Sequence, residues 1–364
     1  MGSVAPRETA KANVLVVGSG GVGTMVAYAL EKGGRANVTA VLRSNYSAVE
    51  KGGFTINSLD HGDIRGWRPT QIRNTVPNVS LEGNAVIQPY DFVVVTTKNI
   101  ADISPRVADI IAPAITPGYT AVALIQNGFN IEKPIIAAFP NNPVISGISY
   151  IGATEGPLGT IKHDDHDEIA IGAFDNPNIP SRVSESAARR FFDAYIACQN
   201  VSCAYKPDVA FWRWKKLLYN ASFNTVATIL RMDTSRMRVS EHVVDNLIRP
   251  IMYEIRAVAK AAAGVELLEE DIERMITIDT FQTFFKPSML QDIEKGNFIE
   301  FENIVGEPLR EAERLGVSTP TLKVIYGLLK AVQWQTMEIK GLVQVPQFNE
   351  PGLKYGSKQP RVIL

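Results

Sequence analysis

Apolar residues gather in short unbroken runs in the first half of the chain and recur with a helical period in the second. Residues 13–17 (Asn-Val-Leu-Val-Val) form a run rich in β-branched side chains, the pattern of a strand buried on both faces. Gly18-Ser19-Gly20-Gly21-Val22-Gly23 follows at once, a helical pattern runs from 22 to about 31, and 38–42 reads as a second strand. Strand, glycine turn, helix and strand within about 30 residues is the setting that gives a glycine-rich turn a chemical meaning. Residues 91–97, 120–125 and 144–150 predict further buried strands, and 103–111 a helix. Residue 161 and residues 168–174 flank a polar loop and predict a hairpin attached to the sheet. Residues 52–87 carry β-like fragments among turn residues and predict no definite element.

Past about residue 175 the period lengthens to that of a helix. Residues 181–198, 209–229, 240–263 (bent at Pro250) and 306–315 predict helices. Gly316 closes the last of these, and Thr319-Pro320 opens one more. The alternation followed by helices predicts an α/β chain, an N-terminal Rossmann-type doubly wound sheet followed by an all-α C-terminal domain. The expected boundaries are a tail over 1–11, a dinucleotide-binding Rossmann-like domain over 12–205, a helical substrate and catalytic domain over 206–345, and a tail over 346–364.

Composition narrows the class. The 364 residues suffice for about two domains, and 45% hydrophobic with 21% charged residues excludes a disordered chain. With 37 basic and 38 acidic side chains the net charge is −1, so neither nucleic acid nor an anionic membrane is an expected partner. The two cysteines, Cys198 and Cys203, make no disulfide framework and no four-ligand zinc site, and read as structural thiols. With no secretory signal and no run of about 18 apolar residues, a cytoplasmic location is expected.

Several residues then carry chemistry. Gly18 permits the tight turn, Gly20 lets backbone approach a pyrophosphate, and Gly23 allows close packing of helix on strand. With Ser19, Gly21 and Val22 they present free N–H groups at a helix start, where phosphates bind. A site for NAD places an acid at the end of the second strand. Here that strand ends Leu42-Arg43-Ser44-Asn45. Arg43 can fork onto a 2′-phosphate, with Ser44 and Asn45 donating, which points to NADP(H). Lys98 and Asn127, in Gln126-Asn127-Gly128, end the next two strands of the sheet, where ligands bind in open α/β folds, although an Asn-Gly pair also makes an ordinary turn. In the helix from 209, Lys216, Asn220 and Asn224 are spaced i, i+4, i+8 and share one face of an otherwise apolar element. A lysine flanked by amides suits a general acid, and equally a snorkelling lysine with structural asparagines. His163-Asp164-Asp165-His166-Asp167 resembles metal ligands but reads better as a polar hairpin loop, so no metal is expected. Glu266, Glu269, Glu270, Asp271 and Glu273 read as a solvated surface.

Four blocks in order resemble the ketopantoate reductase (2-dehydropantoate 2-reductase) family. They are the glycine loop, the Gln126-Asn127-Gly128 turn, the helix Lys216-Leu217 to Asn220 and Asn224, and the segment Ser288-Met289-Leu290-Gln291-Asp292 with Glu300 twelve residues after Ser288. The resemblance implies roles. Gly18, Gly20 and Gly23 hold the pyrophosphate, and Arg43 and Lys98 the 2′-phosphate. Asn127 lies beside the nicotinamide ribose and the substrate. Lys216 is the general acid, Asn220, Asn224 and Ser288 bind substrate, and Glu300 orients the lysine and binds the substrate hydroxyl. It further implies NADPH-dependent reduction of a small 2-keto acid, foremost ketopantoate to pantoate in pantothenate biosynthesis. Two positions depart from the family: Phe285 stands where bacterial members carry a substrate-contacting asparagine, and Val305-Gly306 where they read Asn-Gly. A same-fold reductase of another ketone or an imine, and a non-catalytic NADP(H) sensor, are the alternatives. A homodimer is left open.

Overall fold

The computed structural model describes residues 11–80, 88–240, 242–344 and 361–362. The strands are β1 (Ala12–Val17), β2 (Ala36–Val41), β3 (Phe54–Ser58), β4 (Gly62–Trp67), β5 (Gln71–Arg73), β6 (Phe92–Val95), β7 (Ala121–Leu124), β8 (Val144–Ser149), β9 (Gly152–Glu155), β10 (Thr160–Asp165), β11 (Glu168–Phe174), β12 (Ser202–Tyr205), β13 (Val343–Gln344) and β14 (Arg361–Val362). The helices are α1 (Gly21–Lys32), α2 (Tyr46–Gly52), α3 (Val107–Ile111), α4 (Lys133–Ala138), α5 (Ser181–Ile196), α6 (Val209–Tyr219), α7 (Thr225–Leu230), α8 (Thr234–Val239), α9 (Arg249–Ala263), α10 (Glu269–Thr277), α11 (Ser288–Glu294), α12 (Glu307–Leu315) and α13 (Pro320–Ile339).

Two compact units emerge. One holds residues 1–99, 105–126 and 130–212, the other 100–104, 127–129 and 213–364. The strand-rich unit therefore runs to Trp212, and two short segments that follow β6 and β7 belong with the helices.

In the first unit an eight-stranded sheet runs in the order β12-β11-β8-β7-β6-β1-β2-β5. All neighbours are parallel except β11 on β8. The unbroken apolar runs explain this. Val14 and Val16 enter one core with Met25, Leu30 and Phe191, while Leu15 and Val17 enter the other with Val93, Val95 and Ile111. A strand buried on both faces needs apolar residues at every position. The order reverses beside β1, so the carboxyl end of β1 is a topological switch point, where ligands bind in such sheets.

Residues 52–87 gave no definite sequence prediction; β3, β4 and β5 lie among them, and 81–87 lie outside the described residues. The expected hairpin of residue 161 with 168–174 does not form. β10 lies in a second, four-stranded sheet, β4-β3-β10-β9, while β11 joins the main sheet. The acidic-histidine run between them is only partly loop. His163 is buried with Nδ1 2.7 Å from Ser58 Oγ, His166 meets Asp60, and the Tyr195 hydroxyl donates to Asp167 at 2.8 Å. Burial pushes the Asp167 carboxyl up to about 6, against the hydrogen bond from Tyr195.

Among the described residues of the helical unit, three helical stretches each contain one wider turn with i→i+5 bonding: Asn220–Asn224, Val244–Ile248 and Glu302–Gly306. The predicted helix 209–229 is thus α6, a π turn and α7, and it stops where Arg231 turns left-handed at φ +57°. Pro250 sits in the first turn of α9, directly after a π turn. Gly316 ends α12 at φ +70°, and Pro320 opens α13 after Thr319, which stands at the cap position without a side-chain capping hydrogen bond. The expected tail over 346–364 is not all tail, because Arg361–Val362 pairs antiparallel with Val343–Gln344. The tail over 1–11 lies outside the described residues except Lys11. Among the described residues no helix is long and apolar enough to cross a membrane.

Candidate active site

The glycine loop occupies the switch point. Gly18 has φ +102°, and a side chain there would meet the Thr97 nitrogen at 2.7 Å. Gly23 approaches so closely that a Cβ would lie 1.8 Å from the Gly18 carbonyl oxygen. These two glycines are demanded by the protein's own backbone. Gly21, assigned to the loop only as a phosphate donor, is also structural, since a Cβ would lie 2.1 Å from the Ala153 carbonyl oxygen of β9. Gly20 differs: it is exposed, and a Cβ there would meet nothing within 4 Å. Space kept open at the start of a twelve-residue helix with no acid in its first turn fits a pyrophosphate approaching free N–H groups. Val22 lies in that first turn, half-buried.

Two polar side chains near the loop, Ser19 and the expected donor Asn45, are already engaged. The Ser19 hydroxyl is buried and donates to the Val41 carbonyl at 3.1 Å, so Ser19 offers a ligand only its backbone. Asn45 is buried too, and its Nδ2 donates to the Ser19 carbonyl at 2.8 Å and to Glu155 Oε1 at 2.9 Å. It therefore ties the turn after β2 to the glycine loop, and its amide hydrogens are unavailable to a 2′-phosphate. Arg43 and Ser44, by contrast, are exposed just past the end of β2. A second exposed arginine, Arg73, stands at the end of β5 in register with Val41, two residues before Arg43. Sequence reading missed it because β5 has only three residues and no clear period. Lys98 is exposed three residues past β6, next to Thr96 and Thr97, which touch Gly18. Gln126 Nε2 donates to the Thr97 carbonyl at 2.6 Å and joins the ends of β6 and β7.

The remaining candidates, Asn127, Lys216, Asn220, Asn224, Ser288 and Glu300, all belong to the helical unit. Asn220 and Asn224 are buried within the π turn, and Asn224 Nδ2 donates to Asn220 Oδ1 at 3.0 Å. Asn224 Oδ1 is buried and accepts no hydrogen bond among the described residues. An orphan acceptor of this kind costs about 1–3 kcal/mol unless a ligand or water donates to it, and π turns recur at functional sites. Lys216 is half-buried one turn earlier. Its neighbour Lys215 is committed elsewhere, 2.6 Å from Asp271. Burial opposes ionisation of Asp271, but hydrogen bonds from Lys215 and the Leu268 N–H outweigh it and hold the carboxyl below its usual range. Asp271 is therefore not part of a freely solvated acidic surface as expected.

Glu300 is only 4% exposed, and a buried carboxylate requires cationic or hydrogen-bonding company. Ser288 is the first residue of α11, with Pro287 rather than the serine at the cap position. α11 packs against α7 and against the Asn220–Asn224 turn, which in turn packs against the Glu302–Gly306 turn. Phe285 is 41% exposed, in a segment where Phe281 and Phe284 are exposed as well; Val305 is fully buried.

The elements that carry Asn127, Lys216 and Glu300 meet at the Gly128 turn. Arg213, three residues before Lys216, donates Nη1–H to the Gly128 carbonyl at 2.8 Å. Asn303, three residues after Glu300, accepts from the Phe129 N–H at 2.7 Å. A Cβ on Gly128, which has φ +104°, would lie 2.5 Å from the Asn303 Cβ. Neither Arg213 nor Asn303 was singled out from sequence, although the three-residue step from each catalytic candidate was the available signal.

The chain is similar to the family models described as ketopantoate reductase PanE/ApbA, over residues 14–176, and ketopantoate reductase PanE/ApbA C terminal, over residues 208–333. An uncharacterized protein of Saccharomyces cerevisiae is 39% identical over 349 residues, 91% of this chain and 96% of that protein. The crystal structure of 2-dehydropantoate 2-reductase from Methylococcus capsulatus is 30% identical with a TM-score of 0.72, covering 89% of this chain and 97% of that one. A ternary structure of D-mandelate dehydrogenase shares the fold, at 20% identity and a TM-score of 0.74 over 89% of this chain and 99% of that one.

Proposed function

This chain belongs to the ketopantoate reductase family of oxidoreductases, and we propose that it reduces a small 2-keto acid to the 2-hydroxy acid with NADPH. The carrying observation is the interlock at Gly128, which gathers the turn of Asn127, the helix of Lys216 and the segment of Glu300 within one unit.

Arg43 and Lys98, assisted by Ser44, hold the 2′-phosphate, and the Gly18–Gly23 loop receives the pyrophosphate in the space kept open at Gly20. A nicotinamide dinucleotide held there would supply the hydride needed at the keto carbon. Lys216 Nζ protonates the oxygen as charge develops on it, and its positive charge stabilises that oxygen beforehand. The Glu300 carboxylate keeps the lysine charged and aimed. Asn224 Oδ1 accepts from a substrate hydroxyl, while Asn127, Asn220 and Ser288 fix the carboxylate and the keto group.

Ketopantoate is the first substrate to test. A second reading, a 2-keto acid with a bulkier apolar tail, is favoured by the aromatic run Phe281, Phe284 and Phe285 shortly before Ser288 and by the apolar Val305. NADPH oxidation by the purified chain, followed with ketopantoate and with branched and aromatic 2-keto acids, tests both. Turnover of at least one of them is expected. Absence of turnover with every 2-keto acid would discard the reading in favour of an imine reductase or a sensor.

A further inference from the structure

The peptide group joining Gly128 to Phe129 is gripped at both ends. Its carbonyl accepts from Arg213 Nη1 at 2.8 Å, and its N–H donates to the Asn303 carbonyl at 2.7 Å. The two holding residues lie on the elements that carry Lys216 and Glu300. Packing closes the remaining freedom. Gly128 has φ +104° and no room for a side chain against Asn303, and the Phe129 ring packs at a 39° tilt against Trp214 with centroids 4.2 Å apart. Trp214 is itself buried beside Arg213 on α6. Arg213 is only 7% exposed. A guanidinium is always charged and gives up hydration when buried, so one of its donors is spent on holding this carbonyl in place.

We propose that Arg213 is a positioning residue for the reaction: by fixing this peptide plane it sets the direction in which the preceding residue, Asn127, presents its amide. The charge acts through the turn and touches neither substrate nor cofactor. The effect on catalysis rests on the role given above to Asn127; the effect on the geometry of Asn127 does not. Displacing a reacting or orienting group by about 1 Å can cost a hundredfold in rate, so one hydrogen bond far from the chemistry is able to matter at this level.

The test uses the full chain and two readouts. The first is a cycle of Arg213→Met and Asn127→Ala, with kcat/KM measured on the best 2-keto acid and NADPH. Arg213→Met is expected to lower kcat/KM by about tenfold or more in the wild-type background, yet by less than about threefold once Asn127 is alanine, because interacting sites are non-additive. Arg213→Lys, which retains a charged donor, is expected to recover part of the loss. An equal loss in both backgrounds, or none, overturns the proposal. The second readout needs no turnover. In protein labelled with 15N-asparagine, the side-chain amide signal that vanishes in Asn127→Ala is expected to shift or broaden in Arg213→Gln, a neutral variant that still offers an N–H and is chosen in case the methionine variant fails to fold. An unmoved signal overturns the proposal. If the wild type turns over no 2-keto acid, the functional reading fails and the amide signal alone decides the role of Arg213.

Discussion

Gly20→Ala separates what the glycine loop does for the fold from what it does for a ligand. The backbone at Gly20 has φ −77° and ψ −161°, extended values open to any residue. The added methyl would meet no atom of the protein within 4 Å. Folding should therefore be unharmed, and the reduced freedom of the unfolded chain should stabilise the protein by about 0.4–1 kcal/mol. Binding should suffer, because the methyl fills the space through which a pyrophosphate reaches the backbone. Loss of one charge-assisted hydrogen bond, worth about 1.5–3 kcal/mol, corresponds to roughly a ten- to 150-fold weaker dinucleotide. Gly21→Ala is the control with the opposite balance. Its methyl would sit 2.1 Å from the Ala153 carbonyl oxygen, so backbone must move, at about 1–3 kcal/mol of stability. Thermal unfolding paired with titration of NADPH fluorescence distinguishes the two. Unchanged NADPH affinity in a fully folded Gly20→Ala protein would refute the assignment of this space to phosphate.

Other outcomes follow from the same geometry. Arg43→Ala is expected to weaken NADPH by roughly ten- to a hundredfold with little effect on NADH, since a charge-assisted bond to a 2′-phosphate is lost; equal losses for both dinucleotides would assign Arg43 another task. Phe285→Asn is expected to shift the ratio of kcat/KM values toward ketopantoate and away from apolar-tailed 2-keto acids, and an unchanged ratio would remove Phe285 from substrate selection. Burial holds the His163 imidazole below its ordinary pKa, despite the opposing charge of Asp60. A group with a depressed folded pKa contributes stability fully above its unfolded pKa of about 6.5, and that stability is lost as pH falls below it. The wild type should therefore lose more Tm between pH 7 and pH 5 than His163→Gln, and parallel Tm curves would show that His163 does not carry this pH dependence.

Much of this arrangement is legible in the chain because it depends on local pattern. Residues 13–17 must lie in a doubly covered strand since no position is polar after Asn13, and Gly23 is fixed by the Gly18 carbonyl five residues before it. Asn220 and Asn224 fall on one helical face even with the π turn between them. What escaped depends on distant partners. The hydroxyl of Ser19 and the amide of Asn45 are identical in sequence terms to ligand donors, and only the approach of Val41 and Glu155 reveals that they are spent. Residue 161 and residues 168–174 have the alternation of a hairpin, yet the first strand is drawn to β3 and the second to β8. Arg213 and Asn303 look like ordinary helix positions until Gly128, some 85 residues from Arg213, is placed against them.

The central claim is that Lys216 supplies the proton that completes reduction of a 2-keto acid. Lys216→Ala, assayed at saturating NADPH and substrate beside a titration of NADPH binding, tests it most directly. General acid catalysis is worth roughly 10²–10⁴-fold, so turnover is expected to fall by about that factor while NADPH affinity stays within about twofold of wild type. Turnover above about a tenth of the wild-type rate, or a loss of activity explained by lost NADPH binding, would contradict the account.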